Sequence, residues 1–344
     1  MGLVVDAPTL PPPAIEQPAP RQVSYGLVTG RAARGTVRVL VHANGKRLAS
    51  KPVGARRFTL RVTLPRGDAT VRVTTIARTG RRSSAHVHDV FGLPPGARPR
   101  VVRSRLEPTL GRKLTRMVRA YSGTAGYYVQ SLTGGSGAAW NAKARFPAAS
   151  TLKLAIAAAV LARHSRIPPP GSYLDGLLRQ LIIPSDDEAA NSLLVWLAGS
   201  TSSGAYRVND LMRSLGLTDS LMYGGYQITR ALSSPIPRRV DEAPRFGVGK
   251  YTTAWDMASL WRALWLASGG IGPLRASQPG LTAADARYLL RLTARPTRSG
   301  CRWPWSGWPP GRRPIRAGDL RHGRAHRWRP RVASRSSCNC IQTV

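Results

Sequence analysis

A chain of 344 residues with 42% hydrophobic content is long enough for two domains with separate cores, and too apolar to be disordered throughout. Its charge is lopsided, with 52 Lys and Arg against 16 Asp and Glu. No run reaches the roughly eighteen apolar residues that a membrane span needs, and the three cysteines (Cys301, Cys338, Cys340) all fall in the last fifty residues, so the body has no disulfide framework.

A coding sequence rich in G and C would produce this surplus of Arg without any selection on function. Read functionally, the charge favours a polyanion: nucleic acid, an anionic cell-wall polymer or lipid headgroups. No nucleic-acid motif accompanies it, and aromatics are not interleaved with basic residues before the last fifty positions, so no specific nucleic-acid partner is expected. Met1 to Asp6 lack a basic region and a long apolar run, so no complete signal peptide is expected here.

Residues 1–21 are Pro-rich and read as an extended tether. Residues 22–97 read as β. Val37, Val39 and Val41 alternate up to an Asn44-Gly45 hairpin turn, and Leu60, Val62 and Leu64, then Val71 and Val73, alternate again. Short strands at this spacing predict a small immunoglobulin-like sandwich. His86 and His88 read as solvent-facing strand residues rather than metal ligands.

Residues 98–294 change to a helical period. Leu106, Leu110, Leu114 and Val118 predict a helix over 104–121, followed by a hairpin from Tyr127 to Asn141. Helices are then expected at 150–164, 172–183, 187–199, 205–215, 253–268 and 282–293, which makes an α+β domain. Residues 295–344 break the pattern, with twelve Arg, one acid (Asp319) and four of the nine Trp. A basic disordered tail, a nucleic-acid arm and out-of-frame translation all fit this composition. The last is favoured, because suitable codons for Asp319 to Trp328, shifted by one nucleotide, would read as a strand and turn.

Ser150-Thr151-Leu152-Lys153 opens the most apolar helix in the chain. Spacing of three residues stacks the two polar side chains on one face, where the ammonium can reach the hydroxyl. A serine at the first turn also meets free backbone N–H groups that stabilise an oxyanion. A lysine buried among Ala155, Ala157 and Ala158 is suited to serve as a base.

Phe146 to Lys153 resembles the active-site box of class A β-lactamases. Ser185-Asp186-Asp187, followed by Ala189-Ala190-Asn191-Ser192-Leu193-Leu194, resembles that family's second box. Leu215-Gly216-Leu217-Thr218 and Thr252 to Ala258 are similar to later landmarks in the same order. The resemblance covers residues 104–293 and implies a β-lactamase or transpeptidase-like domain, an antiparallel sheet flanked by helices. It implies Ser150 as the acylated nucleophile, Lys153 as proton acceptor and Ser185 as the relay to the leaving nitrogen. Asp187 would contact substrate, and Asp186 would be structural. The implied substrate is a small β-lactam or a peptidoglycan-derived amide, no metal or cofactor is implied, and the setting would be secreted or wall-associated.

Three departures stand against full activity. Asp187 replaces the family's amide. Counting from Gly216 to the expected deacylating Glu lands near Tyr226-Gln227, with Asp241 and Glu242 at the wrong spacing. The third box is missing, Arg316-Ala317-Gly318 being its only echo. A penicillin-binding peptidase or esterase-like hydrolase, and a non-catalytic wall-binding protein, are the alternatives.

Overall fold

A computed structural model describes residues 10–121, 123–226 and 249–294. The tail at 295–344, with its expected disorder and Arg316-Ala317-Gly318, lies outside the described residues, as do Gln227, Asp241 and Glu242.

The N-terminal part holds eight strands: β1 (Ala14–Gln17), β2 (Val23–Ser24), β3 (Leu27–Arg31), β4 (Thr36–Ala43), β5 (Lys46–Pro52), β6 (Arg57–Arg61), β7 (Gly67–Ala77) and β8 (Arg82–Gly92). They form a three-stranded sheet, β1-β3-β6, and a five-stranded sheet, β2-β8-β7-β4-β5. Period-two alternation turns Val28, Phe58 and Leu60 of one sheet toward Val39, Val41, Val71 and Val73 of the other, and all are buried in one cluster. Asn44 and Gly45 close the β4–β5 hairpin with φ of 47° and 82°, the pair of positive values that this tight turn requires. His86 and His88 are exposed on β8.

The tether assignment is corrected here, because Ala14–Gln17 is strand β1, paired antiparallel to β3. These four residues lie between Pro11-Pro12-Pro13 and Pro18, and an edge strand tolerates flanking prolines whose missing N–H groups face no neighbour.

Beyond the sandwich lie β9 (Arg105–Leu106), α1 (Pro108–Arg119), β10 (Tyr127–Gln130), β11 (Ser136–Trp140), β12 (Phe146–Pro147), α2 (Lys153–His164), α3 (Tyr173–Ile182), α4 (Asp187–Ala198), α5 (Thr201–Ser214), β13 (Tyr251–Thr252), α6 (Ala254–Ser268), α7 (Pro273–Ser277) and α8 (Ala283–Thr293). This is a mixed α/β unit. Its sheet is not wholly antiparallel: β10 pairs antiparallel with β11, but β9 pairs parallel to β11, with α1 and β10 in the crossover. The predicted helix at 104–121 begins only at Pro108, because Arg105 and Leu106 are taken into the sheet. Among the described residues no strand lies on the outer side of β10, and α1 buries none of its residues.

The helical core centres on α2, which is buried from Lys153 to Leu161. Small Ala side chains let α3, α4, α5 and α8 close around it. The sandwich is joined to this core. Val23 belongs to the helical cluster, and Tyr25, Phe91 and Leu93 pack against it. Arg291, 3% exposed, ion-pairs with Asp68 and, at 2.7 Å, with Asp89. Arg21 reaches Asp175 at 3.0 Å, and the Tyr288 hydroxyl donates to the same carboxylate at 2.6 Å.

Candidate active site

β12 pairs with β13, and the pairing continues as the Ala148 N–H donates to the Lys250 carbonyl at 2.8 Å. The chain then turns through Ala149, whose φ is 44°, into a tight bend at Ser150 and Thr151. The Thr151 hydroxyl donates to the Ala148 carbonyl at 2.6 Å, and the Lys153 N–H donates to the Ser150 carbonyl at 3.1 Å. Ser150 thus sits in the bend that leads into α2, not inside the helix, and is half-buried.

Lys153 is fully buried. Its ammonium donates to the Ser185 carbonyl, to Ser185 Oγ at 3.3 Å and to Asp187 Oδ1 at 2.5 Å. The structure therefore brings Lys153, Ser185 and Asp187 together. It does not join Lys153 to Ser150 Oγ: the ammonium is drawn to the carboxylate and carbonyl that α4 and its preceding turn present. That turn is sharp, with Ser185 at φ 60°. Asp186 caps α4 by accepting the Ala189 N–H at 2.7 Å, a structural role.

Two residues that the motifs did not single out complete the cluster. The Tyr226 ring lies 4.8 Å from Lys153 Nζ and 4.8 Å from Lys250 Nζ, so one aromatic ring serves two cations. Counting from Gly216 had reached this position, and it carries a phenol rather than a carboxylate. Asn191 holds the Tyr226 backbone in both directions, donating to its carbonyl at 2.9 Å and accepting its N–H at 2.7 Å. The buried Tyr226 hydroxyl has no hydrogen-bond partner among the described residues. Burial, then the Asp187 charge, raises the Tyr226 pKa above its ordinary value.

Lys250 donates to the Gly225 carbonyl at 2.7 Å, and burial lowers its pKa, with Asp187 acting the other way. A signal for it was present. The chain uses six Lys against 46 Arg, and a lysine in such a background offers a compact ammonium that titrates on burial, which Arg does not.

The later landmarks meet behind this cluster. Asp256 Oδ2 accepts the Asp219 N–H at 2.9 Å and the Ser220 hydroxyl at 2.8 Å, while Arg145 pairs with Asp219 at 2.8 Å. Ser220 Oγ also meets Thr252 Oγ1 at 2.7 Å and Arg145 lies over the Tyr251 ring, so the network holds both residues of β13. Among the described residues there is no group of three or more His, Cys, Asp or Glu suited to a metal, and no helix is long and apolar enough to cross a membrane.

Lys153 is thus buried at the start of an Ala-rich helix, one turn after Ser150, and bonded to Ser185 and Asp187. Residues 109–167 match the model of the Beta-lactamase enzyme family, a stretch that holds α1, the β10–β11 hairpin, Ser150 and α2. Over these residues the chain is similar to the penicillin-recognising serine hydrolases. Among solved structures, the chain is similar to a β-lactamase from Streptosporangium roseum at 19% identity, over 59% of this chain and 75% of that one, with a TM-score of 0.44. It is similar to an ancestral class A β-lactamase at 21% identity, over 58% and 76%, with a TM-score of 0.41. It is also similar to the fibronectin(III)-like modules of Clostridium thermocellum CbhA at 16% identity, over 24% and 96%, with a TM-score of 0.20. No curated protein matches the chain.

Proposed function

We propose that the chain is a slow serine hydrolase of β-lactams or related amides, exported to act at the cell wall and carrying an immunoglobulin-like sandwich in front of its catalytic part. Ser150 Oγ attacks the amide carbonyl as its proton passes to an unprotonated Lys153. The C–N bond then breaks, and the proton reaches the leaving nitrogen through Ser185. Water hydrolyses the resulting ester and restores the Ser150 hydroxyl. The observation that carries this reading is the buried Lys153 ammonium at 3.3 Å from Ser185 Oγ, one turn after Ser150. Asp187 at 2.5 Å holds the same ammonium in an ion pair, so proton release precedes attack and slows acylation.

A second reading, a penicillin-binding peptidase or esterase-like hydrolase, is favoured by Tyr226. A phenol stands where the deacylating Glu was looked for, and without a general base an acyl-enzyme persists. Incubation with a labelled penicillin, followed by mass spectrometry, tests both. Label on Ser150 with nitrocefin turnover supports the hydrolase, and a stable penicilloyl adduct without turnover supports the peptidase. Label on Ser185, or equal labelling after Ser150→Ala, overturns the nucleophile assignment. No label and no turnover favours the non-catalytic wall-binding alternative.

A further inference from the structure

The sandwich carries a feature that catalysis does not use. Strand register places Arg47, His42, Arg72 and His86 in one row across β5, β4, β7 and β8. All four lie on the outer face of the five-stranded sheet, because their neighbours Val41, Val71 and Val73 point into the sandwich core. The row is about 14 Å long at the usual strand spacing of about 4.8 Å. Arg38 and Arg82 stand in a second row on the same face, on either side of Ile76. His88 stacks on His86 with ring centroids 6.0 Å apart.

Arg47 and Arg72 thus flank His42, and Arg38 and Arg82 flank Ile76, so four guanidinium groups share one face, and their mutual repulsion costs stability unless something anionic covers them. The sandwich does not supply that cover. Residues 14–97 contain fifteen Lys and Arg but only three acids: Glu16 pairs with Arg31 in the other sheet at 3.3 Å, and Asp68 and Asp89 are turned to Arg291 of α8. Register places no carboxylate in either row. At the centre of the row, His42 Nδ1 and Arg72 Nε are buried and have no hydrogen-bond partner among the described residues. The crowding also shows in His42, whose pKa is lowered by burial, then by Arg72 and Arg47.

We propose that the outer face of the five-stranded sheet is a binding surface for a flexible polyphosphate or phosphodiester chain that carries no bases. Charge complementarity selects phosphate. Four arginines spread over β4, β5, β7 and β8 fit an extended chain laid over the sheet better than a single compact anion. The chemistry of the face argues against nucleic acid. Bases need broad aromatic platforms; His86 and His88 stack on each other, and the larger rings are engaged elsewhere: Phe58 in the sandwich core, Tyr25 and Phe91 against the helical core. The site is independent of the Ser150 cluster and of the activity proposed for it.

The test is a titration of the full chain with medium-chain inorganic polyphosphate at several salt concentrations, followed by calorimetry. Arg47→Ser/Arg72→Ser should weaken binding about tenfold at low salt and reduce the slope of log K against log salt by about 1.4, near 0.7 for each lost phosphate contact. Arg57→Ser/Arg61→Ser on β6 removes the same charge from the other sheet, and should change affinity less than about twofold. Arg47→Lys/Arg72→Lys keeps the charge and should retain the slope, which separates charge loss from misfolding. Equal losses in the two Ser doubles would mean that only net charge matters and would overturn the site. An unchanged slope in Arg47→Ser/Arg72→Ser would do the same. Tighter binding of an oligothymidylate with the same number of phosphates would replace the proposal with a nucleic-acid surface.

Discussion

Asp187 carries a carboxylate at the position where the resembling family has an amide, and its Oδ1 lies 2.5 Å from a lysine with no solvent exposure. The ion pair makes α4 and α2 hold together while it ties up the group that acylation needs. Asp187→Asn should therefore move activity and stability in opposite directions. Acylation by a labelled penicillin should rise about tenfold near neutral pH as the ammonium loses its counter-charge. Stability in urea should fall by about 1–2 kcal/mol, less than for a fully buried pair because the Asp187 side chain is 24% exposed and the amide keeps a hydrogen bond. A variant that is slower and equally stable would show that Asp187 does not restrain Lys153. The motif residues themselves were legible in the sequence. Which partner the Lys153 ammonium takes was not, because Ser185 and Asp187 arrive from more than thirty positions away.

Helices α4 and α5 approach so closely that one hydrogen atom decides their packing. A Cβ added at Gly204 would lie 2.3 Å from the Leu194 carbonyl oxygen and 2.7 Å from Leu194 Cα. Helix propensity alone would reward Gly204→Ala by about 1 kcal/mol. Backbone atoms cannot step aside as a flexible side chain does, so overpacking of about 1–3 kcal/mol wins, and the variant should unfold at lower urea. Gly176, in the middle of α3, is the control. A Cβ there meets nothing within 4 Å, so Gly176→Ala should stabilise by about 0.5–1 kcal/mol. If both variants shifted in the same direction, the close α4–α5 approach would be wrong. The sequence reading placed Gly176 inside a helix and Gly204 one residue before one, because α5 begins earlier, at Thr201, and neither position showed which glycine meets a neighbouring backbone. The helices themselves were readable from apolar periodicity, and the sandwich strands from alternation. Strand β1 was missed because prolines on both sides hid four residues whose pairing partner lies in β3.

Across the whole molecule, the sandwich and the helical core share buried polar contacts, and these make the fold sensitive to alkali. The Tyr25 hydroxyl is hydrogen-bonded to Ser268 Oγ at 2.6 Å, and burial pushes its pKa up to about 12, with Ser268 and Arg287 acting the other way. Tyr288, beside Asp175 in the same interface, and Tyr226 are also raised, each mainly by burial. In the unfolded chain these phenols ionise near 10. Above that pH the folded state binds more protons than the unfolded state, so stability is complete below about 10 and is lost as pH rises through the folded values. Thermal melts between pH 10 and 12 should fall steeply, and Tyr25→Phe should reduce that steepness by about one third, since two such tyrosines remain of three. Its neutral-pH stability should drop by about 1 kcal/mol for the lost hydrogen bond. Equal steepness in both chains would mean that the Tyr25 contact opens before it titrates.

The amino-acid sequence by itself determined the strands of the sandwich, the Asn44-Gly45 turn, most of the helices and the order of the Ser150, Ser185 and Gly216 landmarks. Each rests on periodicity, turn chemistry or spacing within a short window. Only the tertiary structure decided that Arg21, Tyr25 and Arg291 bind the two parts together, and that Tyr226 and Lys250 join Lys153. It also decided that Arg47, His42, Arg72 and His86, from four different strands, stand in one row. The physical reason is common to all of them. Side chains that a periodic pattern leaves facing outward carry no local preference for a partner, so their neighbours are set by strand register and helix packing over long stretches of chain.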